Sequence, residues 1–258
     1  MSKIKIDNLE FSYKDDKVFS GLNFTLKRGK TLSIIGGTGS GKTTLLKILD
    51  GRLNYSGEVF INGVMVEPNN NELFRNIVCI FNGFTFNNEI VKDELVYCSK
   101  LYGVDYLKYM DYLNEFFGIY KLLKKKISDL SYEDKILLKI ICEVMSKPMY
   151  IGLDDLLCSL SMRKKILLLN FLEESNVLLI NVTSNMEEVL YTDYILCLYN
   201  GISAIDGKTL DVLKNEQLLK RLGFNLPFMV DLSIQLKDYG MINKVYLNNE
   251  LMVNKLWK

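Results

Sequence analysis

Residues 31–50 read TLSIIGGTGSGKTTLLKILD, and this stretch decides the fold. A compact apolar run from Thr31 to Ile35 enters a glycine-rich turn and leaves it as a helical segment in which Leu45, Leu46 and Leu49 share one face. In between, Gly36, Gly37, Thr38, Gly39, Ser40, Gly41, Lys42 and Thr43 fit G-x-x-x-x-G-K-[ST], with Thr44 following in the helix. The order strand, loop, helix gives the motif its physical sense. Glycines let backbone N–H groups turn toward one point, and the positive end of the helix faces the same point, so phosphate oxygens are held by both. Lys42 is expected to reach the outer phosphates of a nucleoside triphosphate, and the Thr43 hydroxyl to ligate Mg²⁺. A carboxylate at the end of a neighbouring strand would complete that cation site. Asp154 closes the apolar run Met149 to Leu153 and fills this role.

Working outward, KIKIDNLEFSY and NFTLK alternate apolar and polar residues, the mark of short antiparallel strands. Ser56 to Ile61 reads as a further strand ending in the Asn62-Gly63 hairpin signal, and Ile77 to Phe81 as a buried strand that extends the sheet. From about residue 89 to 147 the period becomes helical, which predicts an inserted helical subdomain. Strands return at 149–153, 176–182 and 194–201, separated by amphipathic helices, as in a parallel α/β sheet. The tail from about 216 reads as a separate small unit, with a helix after Pro227. The expected organisation is a nucleotide-binding α/β domain over 1–215 with an antiparallel β lobe, the helical insertion inside it (about 85–147), and a small C-terminal domain over 216–258.

Composition removes several classes of function. The 258 residues are 48% apolar and 24% charged, which suits a globular chain. Lys and Arg number 32 against 31 acidic residues, a net charge of +1 that argues against a nucleic-acid partner, and Lys124-Lys125-Lys126 reads as a solvated helix end. The absence of histidine excludes Ser-His-Asp and Cys-His catalysis and every His-ligated metal. The cysteines at 79, 98, 142, 158 and 197 lack a C-x-x-C spacing and read as buried thiols. No apolar run approaches the length needed to cross a bilayer and the first residues are too polar for a signal peptide, so a chain that is cytosolic, or docks on a membrane only through partners, is expected. Neither Asn243-Lys244 nor Asn254-Lys255 continues into N-K-x-D, so guanine is disfavoured. Adenine would instead stack on an aromatic residue upstream of the loop, and Tyr13 is the candidate, its other reading being a core position.

Taken in order, FSYKDDKVFSGLNFTLKRGK, GGTGSGKTTLLKILDG, YSGEVFINGV, IVCIFN, LSYEDKILLKIICEVMSKPMYIGLDD and NVLLINVTSN resemble the ATP-binding-cassette (ABC) ATPases over residues 1 to about 215. The tail segments Leu222 to Phe228 and Glu250-Leu251 to Leu256-Trp257 resemble the C-terminal domain of the energy-coupling factor (ECF) subgroup. That resemblance implies a P-loop fold, ATP and Mg²⁺ as cofactors, and attachment to the cytoplasmic face of a membrane. It also implies three kinds of partner: a second ATPase forming a heterodimer, a transmembrane coupling protein, and a membrane subunit that selects a vitamin or metal.

Several family positions have changed. The glutamine that contacts Mg²⁺ and water is matched by Asn82, the catalytic glutamate by Asp155, the D-loop aspartate by Ser161 and the switch histidine by Ser184. Asp155 is one methylene short for a general base, which must come within about 2.6–3.2 Å of its water. The signature LSGGQ becomes Leu130-Ser131-Tyr132-Glu133-Asp134. Ser131 is expected to cap the following helix and remain the nucleotide contact, while Glu133 and Asp134 would oppose a partner-bound γ-phosphate; two unit charges ~6 Å apart repel by roughly 3 kcal/mol at an effective dielectric of ~20. An ATP-binding importer subunit with weak hydrolysis is the leading expectation. A non-hydrolysing subunit paired with an active ATPase is the alternative.

Overall fold

Alternating burial along β1 (Ile4–Tyr13) and β2 (Asp16–Leu26) makes them an antiparallel pair with Ile4 opposite Leu26. The computed structural model describes residues 4–68, 70, 73 and 76–247. After the hairpin the chain passes through β3 (Leu32–Gly36) and α1 (Lys42–Leu49), then returns as β4 (Ser56–Ile61), which pairs with the free side of β1. β5 (Val64–Met65) folds back on β4 through Asn62 and Gly63, both at positive φ (56° and 82°), the conformation that an Asn-Gly hairpin turn requires.

The second sheet has the order β10-β9-β3-β8-β7-β6. It comprises β6 (Ile77–Ile80), β7 (Tyr150–Asp154), β8 (Leu178–Val182), β9 (Tyr194–Tyr199) and β10 (Ile202–Lys208) around β3, all parallel except β10. Here the expectation for Ile77–Phe81 is corrected: β6 does not extend the sheet of β4 but lies beside β7 in the parallel sheet. The physical reason is burial. Ile-Val-Cys-Ile is apolar on both faces and suits a sheet covered on both sides, whereas β4 leaves its first three residues exposed.

Two further details differ from the sequence reading. No α-helix separates β8 from β9; a 3₁₀ segment, Met186–Tyr191, does so, because this short connection must also step over β3. β10 has no strand pattern in the sequence, since Ser203, Asp206 and Gly207 interrupt the alternation, although Asn200 and Gly201, at φ 48° and 78°, form the hairpin that leads to it.

The insertion holds α2 (Val91–Tyr102), α3 (Tyr106–Phe117) and α4 (Tyr132–Val144), joined by 3₁₀ turns at Ile119–Lys121 and Ile127–Asp129. Lys124, Lys125 and Lys126 are exposed but lie in the loop between those turns rather than at a helix end, because Gly118 adopts the left-handed conformation and stops α3 before them. α5 (Met162–Glu174) links β7 to β8.

Beyond β10 come α6 (Thr209–Leu213), α7 (Glu216–Arg221) and α8 (Phe228–Asp238), the last starting after Pro227. Leu219, Phe224 and Val230 share one apolar cluster with Ile35, Ile195 and Cys197 of the parallel sheet. Glu250-Leu251 and Leu256-Trp257 lie outside the described residues. All five cysteines are free thiols, four of them buried and Cys158 exposed. Among the described residues no helix is long and apolar enough to cross a membrane.

The core that positions the site centres on α1. Leu45, Leu46, Ile48 and Leu49 are fully buried in a cluster that also takes in Ile4 and Leu26 of the antiparallel sheet and Ile34, Ile180 and Leu196 of the parallel one. Close approach of α1 to β7 requires Gly152: a Cβ there would sit 2.6 Å from Cys79 Sγ and 2.7 Å from Leu46 Cδ1. Gly152→Ala is therefore expected to destabilise the fold by about 1–3 kcal/mol through overpacking, read as a lowered midpoint in urea unfolding.

Candidate nucleotide site

Parallel strands end together, so the turns after β3, β8, β7 and β6 form one edge of the sheet. That edge brings together the loop after β3, Ser184 after β8, Asp154 and Asp155 at the end of β7, and Asn82 after β6. Gly39 and Gly41 hold the loop with φ of 78° and 95°. Gly41 has a second reason to be glycine, since a Cβ would come within 2.8–2.9 Å of Val18 and Phe19. Lys42 Nζ donates to the carbonyls of Gly36 (2.8 Å) and Gly37 (3.1 Å), which keeps the ammonium over the loop. The Ser40 Oγ is buried with no hydrogen-bond partner.

Thr43 follows at the first turn of α1, and its hydroxyl lies 3.0 Å from each carboxylate oxygen of Asp154. Burial pushes the Asp154 carboxyl above its ordinary value, and the Asp155 charge adds to this, while the Thr43 hydrogen bond opposes it. A hydroxyl beside a partly desolvated carboxylate is an all-oxygen donor set, the kind that a hard divalent cation selects. The residues therefore fit Mg²⁺, held by Thr43 and Asp154, with the phosphates of a nucleotide on the loop. Tyr13, 43% exposed, lines a cleft of ≈ 300 Å³ with Val18, Gly39, Ser40, Gly41, Lys42, Thr43 and Thr44. Its ring meets Phe11 edge-on at 4.7 Å, so Tyr13 stands at the surface of the cleft and not in the core.

Asp155 has φ 52°, a left-handed conformation that Asp tolerates better than most residues, and its N–H donates to Val182 O at 2.9 Å. The turn that carries exposed Ser184 is held from beneath. Thr183 Oγ1 (2.8 Å) and Asn181 Nδ2 (3.2 Å) both donate to Glu188 Oε2, and the other oxygen of this buried carboxylate pairs with Lys165 at 2.8 Å. Asn82 Nδ2 donates to the carbonyl of Asp154 at 3.4 Å.

Ser131 is the N-cap of α4: its hydroxyl accepts from Asp134 N (3.2 Å) and donates to Asp134 Oδ2 (2.7 Å). It is not among the residues lining the cleft of its own loop. Glu133 and Asp134 do not stand as unpaired anions, because Lys164 of α5 binds both, at 2.9 and 2.7 Å. The Glu133 carboxylate also accepts from Ser161 N at 2.5 Å, so the position matching the D-loop is tied to the altered signature by backbone. Lys164, Lys165 and Glu188 went unnoticed in the sequence, where each is one more charge on an amphipathic stretch and nothing signals a partner 23 or 30 residues away.

A family model for ABC transporters matches residues 19–157. The chain belongs to the ABC transporter family. This cassette is 27% identical over 271 residues to the energy-coupling factor transporter ATP-binding protein EcfA1 of Ureaplasma parvum serovar 3, covering 99% of this chain and 91% of that one. It is 29% identical over 252 residues to the protein of the same name from Mycoplasmopsis pulmonis, with 91% and 93% covered. Its fold is similar to that of cbiO1 from Clostridium perfringens, part of the ABC transporter complex cbiONQ, with TM-score 0.72 and 22% identity over 87% of this chain and 95% of that one.

The Lys164 clamp predicts a pH signature. Hydrogen bonds from Lys164 and from Ser161 N hold the Glu133 carboxyl below its ordinary value; for Asp134, burial pulls upward but Lys164 and Ser131 outweigh it and the net direction is also down. Depressed carboxylates contribute stability above their unfolded pKa and lose it as pH falls through the folded one. Lys164→Met is expected to lower the thermal midpoint by a few degrees at pH 7, and the gap from wild type should close below about pH 3 in melts followed by circular dichroism.

Proposed function

We propose that this ABC cassette is the ATP-binding subunit of an ECF-type importer and binds ATP together with Mg²⁺. The observation that carries the reading is the hydrogen bond from Thr43, which lines a cleft together with Lys42 and Tyr13, to the carboxylate of Asp154. Each group has a task there. The loop N–H groups and Lys42 neutralise phosphate charge, Tyr13 offers a face to adenine, and Thr43 with Asp154 holds the cation. A cation held by Thr43 and Asp154 would supply positive charge against the phosphates. The names of the two curated relatives support the importer assignment.

In this reading the chain sits at the cytoplasmic face of the membrane, beside a second ATPase and on a transmembrane coupling protein, while a separate membrane subunit selects a vitamin or metal. Asp155 is the general base, Asn82 positions the attacking water and the cation, and Ser184 donates to the γ-phosphate. Head-to-tail pairing divides the duties: this chain's loop and short base meet the partner's signature, and the partner's loop and base meet Ser131. ATP binding is then good at the first site and hydrolysis slow, since binding needs the loop while chemistry needs the base.

Two measurements test this. Lys42→Ala should weaken ATP binding by roughly ten- to a hundredfold in a fluorescent-nucleotide titration, the worth of charge-assisted hydrogen bonds to phosphate. Equal affinity in the two proteins would sink the site. In the complex with its partner ATPase, Asp155→Glu with Ser184→His should raise turnover while leaving ATP affinity within about twofold. A gain in affinity without a gain in turnover overturns the assigned roles.

A further inference from the structure

Two helices of the insertion bring three ligand-bearing side chains against one another. Glu94 and Cys98 stand four residues apart on α2, a spacing that puts both on one face, and α4 supplies Cys142. A carboxylate oxygen and the two sulfurs all lie within 4.8 Å of one another. All three residues are buried, Glu94 to 1% exposure, and the two cysteines belong to the apolar cluster of Val91, Leu95 and Ile141. We propose that Glu94, Cys98 and Cys142 form a binding site for one thiophilic divalent cation of the zinc type, which fastens α2 to α4. The inference draws nothing from the nucleotide site. The two cysteines lack a C-x-x-C spacing because they come from different helices.

Each donor suits the role. A carboxylate removed from water is costly unless it is paired. No Lys or Arg pairs with Glu94 among the described residues, and Lys139 of α4 is engaged with Glu143 at 2.8 Å. The hydrogen bonds that Glu94 accepts, from Asn87 N (3.0 Å), Asn88 N (2.8 Å) and Asn88 Nδ2 (2.9 Å), all fall on Oε2. They orient the carboxylate as outer partners orient a metal ligand, and they leave Oε1 for an ion. A hydrogen bond with Cys98, then burial, push the Cys142 thiol well above its ordinary value, so Cys142 keeps its proton until a cation replaces it.

Binding is then an exchange. The cation gains two sulfurs and one carboxylate oxygen, and the two thiol protons pass to solvent. Bonds of about 2.3 Å to sulfur and about 2.0 Å to oxygen set tetrahedral edges of roughly 3.5–3.8 Å, so donors already within 4.8 Å close onto one ion by shifts of about 1 Å. Two thiolates select Zn²⁺ over Mg²⁺ or Ca²⁺, which take oxygen, and three protein ligands leave the fourth position to water. Three anionic ligands on a divalent ion leave one negative charge. Lys139 faces it: burial lowers that ammonium, but Glu143 and then Cys142 and Cys98 outweigh burial and hold it above its ordinary value.

The test uses the full chain, reduced and stripped with a chelator, titrated with Co²⁺ and followed by absorbance. One Co²⁺ per chain should produce the near-ultraviolet charge-transfer band of cobalt bound to thiolate. Zn²⁺ should abolish that band and raise the thermal midpoint by a few degrees. Cys98→Ala and Cys142→Ala should each diminish the band and weaken Zn²⁺ binding at least tenfold, and Glu94→Gln, which keeps the shape of the side chain, should weaken it by roughly ten- to a hundredfold. Cys158→Ala removes the exposed thiol and should change neither reading. A reduced chain that shows no band, or a band that survives at full strength in Cys98→Ala and Cys142→Ala, overturns the proposal. Should the variants not fold, X-ray absorption at the zinc edge of the loaded wild-type chain decides. Two sulfurs at about 2.3 Å are expected, and a shell without sulfur overturns the site. Cobalt held by Thr43 and Asp154 would be bound by oxygen and give no such band, so a failure here leaves the nucleotide reading standing.

Discussion

The burial of α1 between two sheets of different kinds is the constraint on which the rest of the molecule depends. Its leucines are at once the floor of the antiparallel lobe and the cover of the parallel sheet, so neither layer has a complete core without it. Because the loop feeds directly into this wedged helix, the N-terminus of α1 cannot shift relative to β7. The hydroxyl of Thr43 meets the carboxylate of Asp154, 111 residues away in the chain, because packing leaves it no other place. Gly152 belongs to the same constraint, for a side chain on β7 would lift the helix from the strand that carries Asp154.

The altered signature has been absorbed into the chain's own structure. Two carboxylates at the start of α4 suit the positive end of that helix, and Lys164 neutralises what the dipole does not. The first residues of α4 have their side chains engaged with α5, with Ser161 and with Asn82. Each of those contacts is made within one chain and ties the insertion to the elements around the end of β7.

Much of the architecture could be read directly. The loop between an apolar strand and an amphipathic helix, the Asn62-Gly63 hairpin, the helical insertion and the stop at Asp154 are local patterns, set by residues within a few positions of one another. Two misreadings share a cause. Assigning β6 to the first sheet and expecting a helix between β8 and β9 both required knowing which strand lies beside which, and strand order is a property of distant segments. β10 escaped notice for a related reason: an edge strand has one side free and need not carry the apolar alternation that marks a buried one.

For the site, the sequence by itself determined which groups are available: a loop at Gly36 to Thr43 that fits G-x-x-x-x-G-K-[ST], carboxylates at Asp154 and Asp155, an amide at Asn82, a hydroxyl at Ser184 and a capping serine at 131. Those identities follow from residue type and order, which no fold can change. Only the tertiary structure decided what the charged and aromatic residues do to one another. Glu133 and Asp134 read as two exposed anions until α5 brings Lys164 against them, and Tyr132 reads as a bulky replacement for glycine until the insertion places its hydroxyl on Asn82. The reason is that ion pairs and side-chain hydrogen bonds reach only about 3 Å, a range on which residues 50 positions apart become neighbours solely through the packing of the elements that carry them.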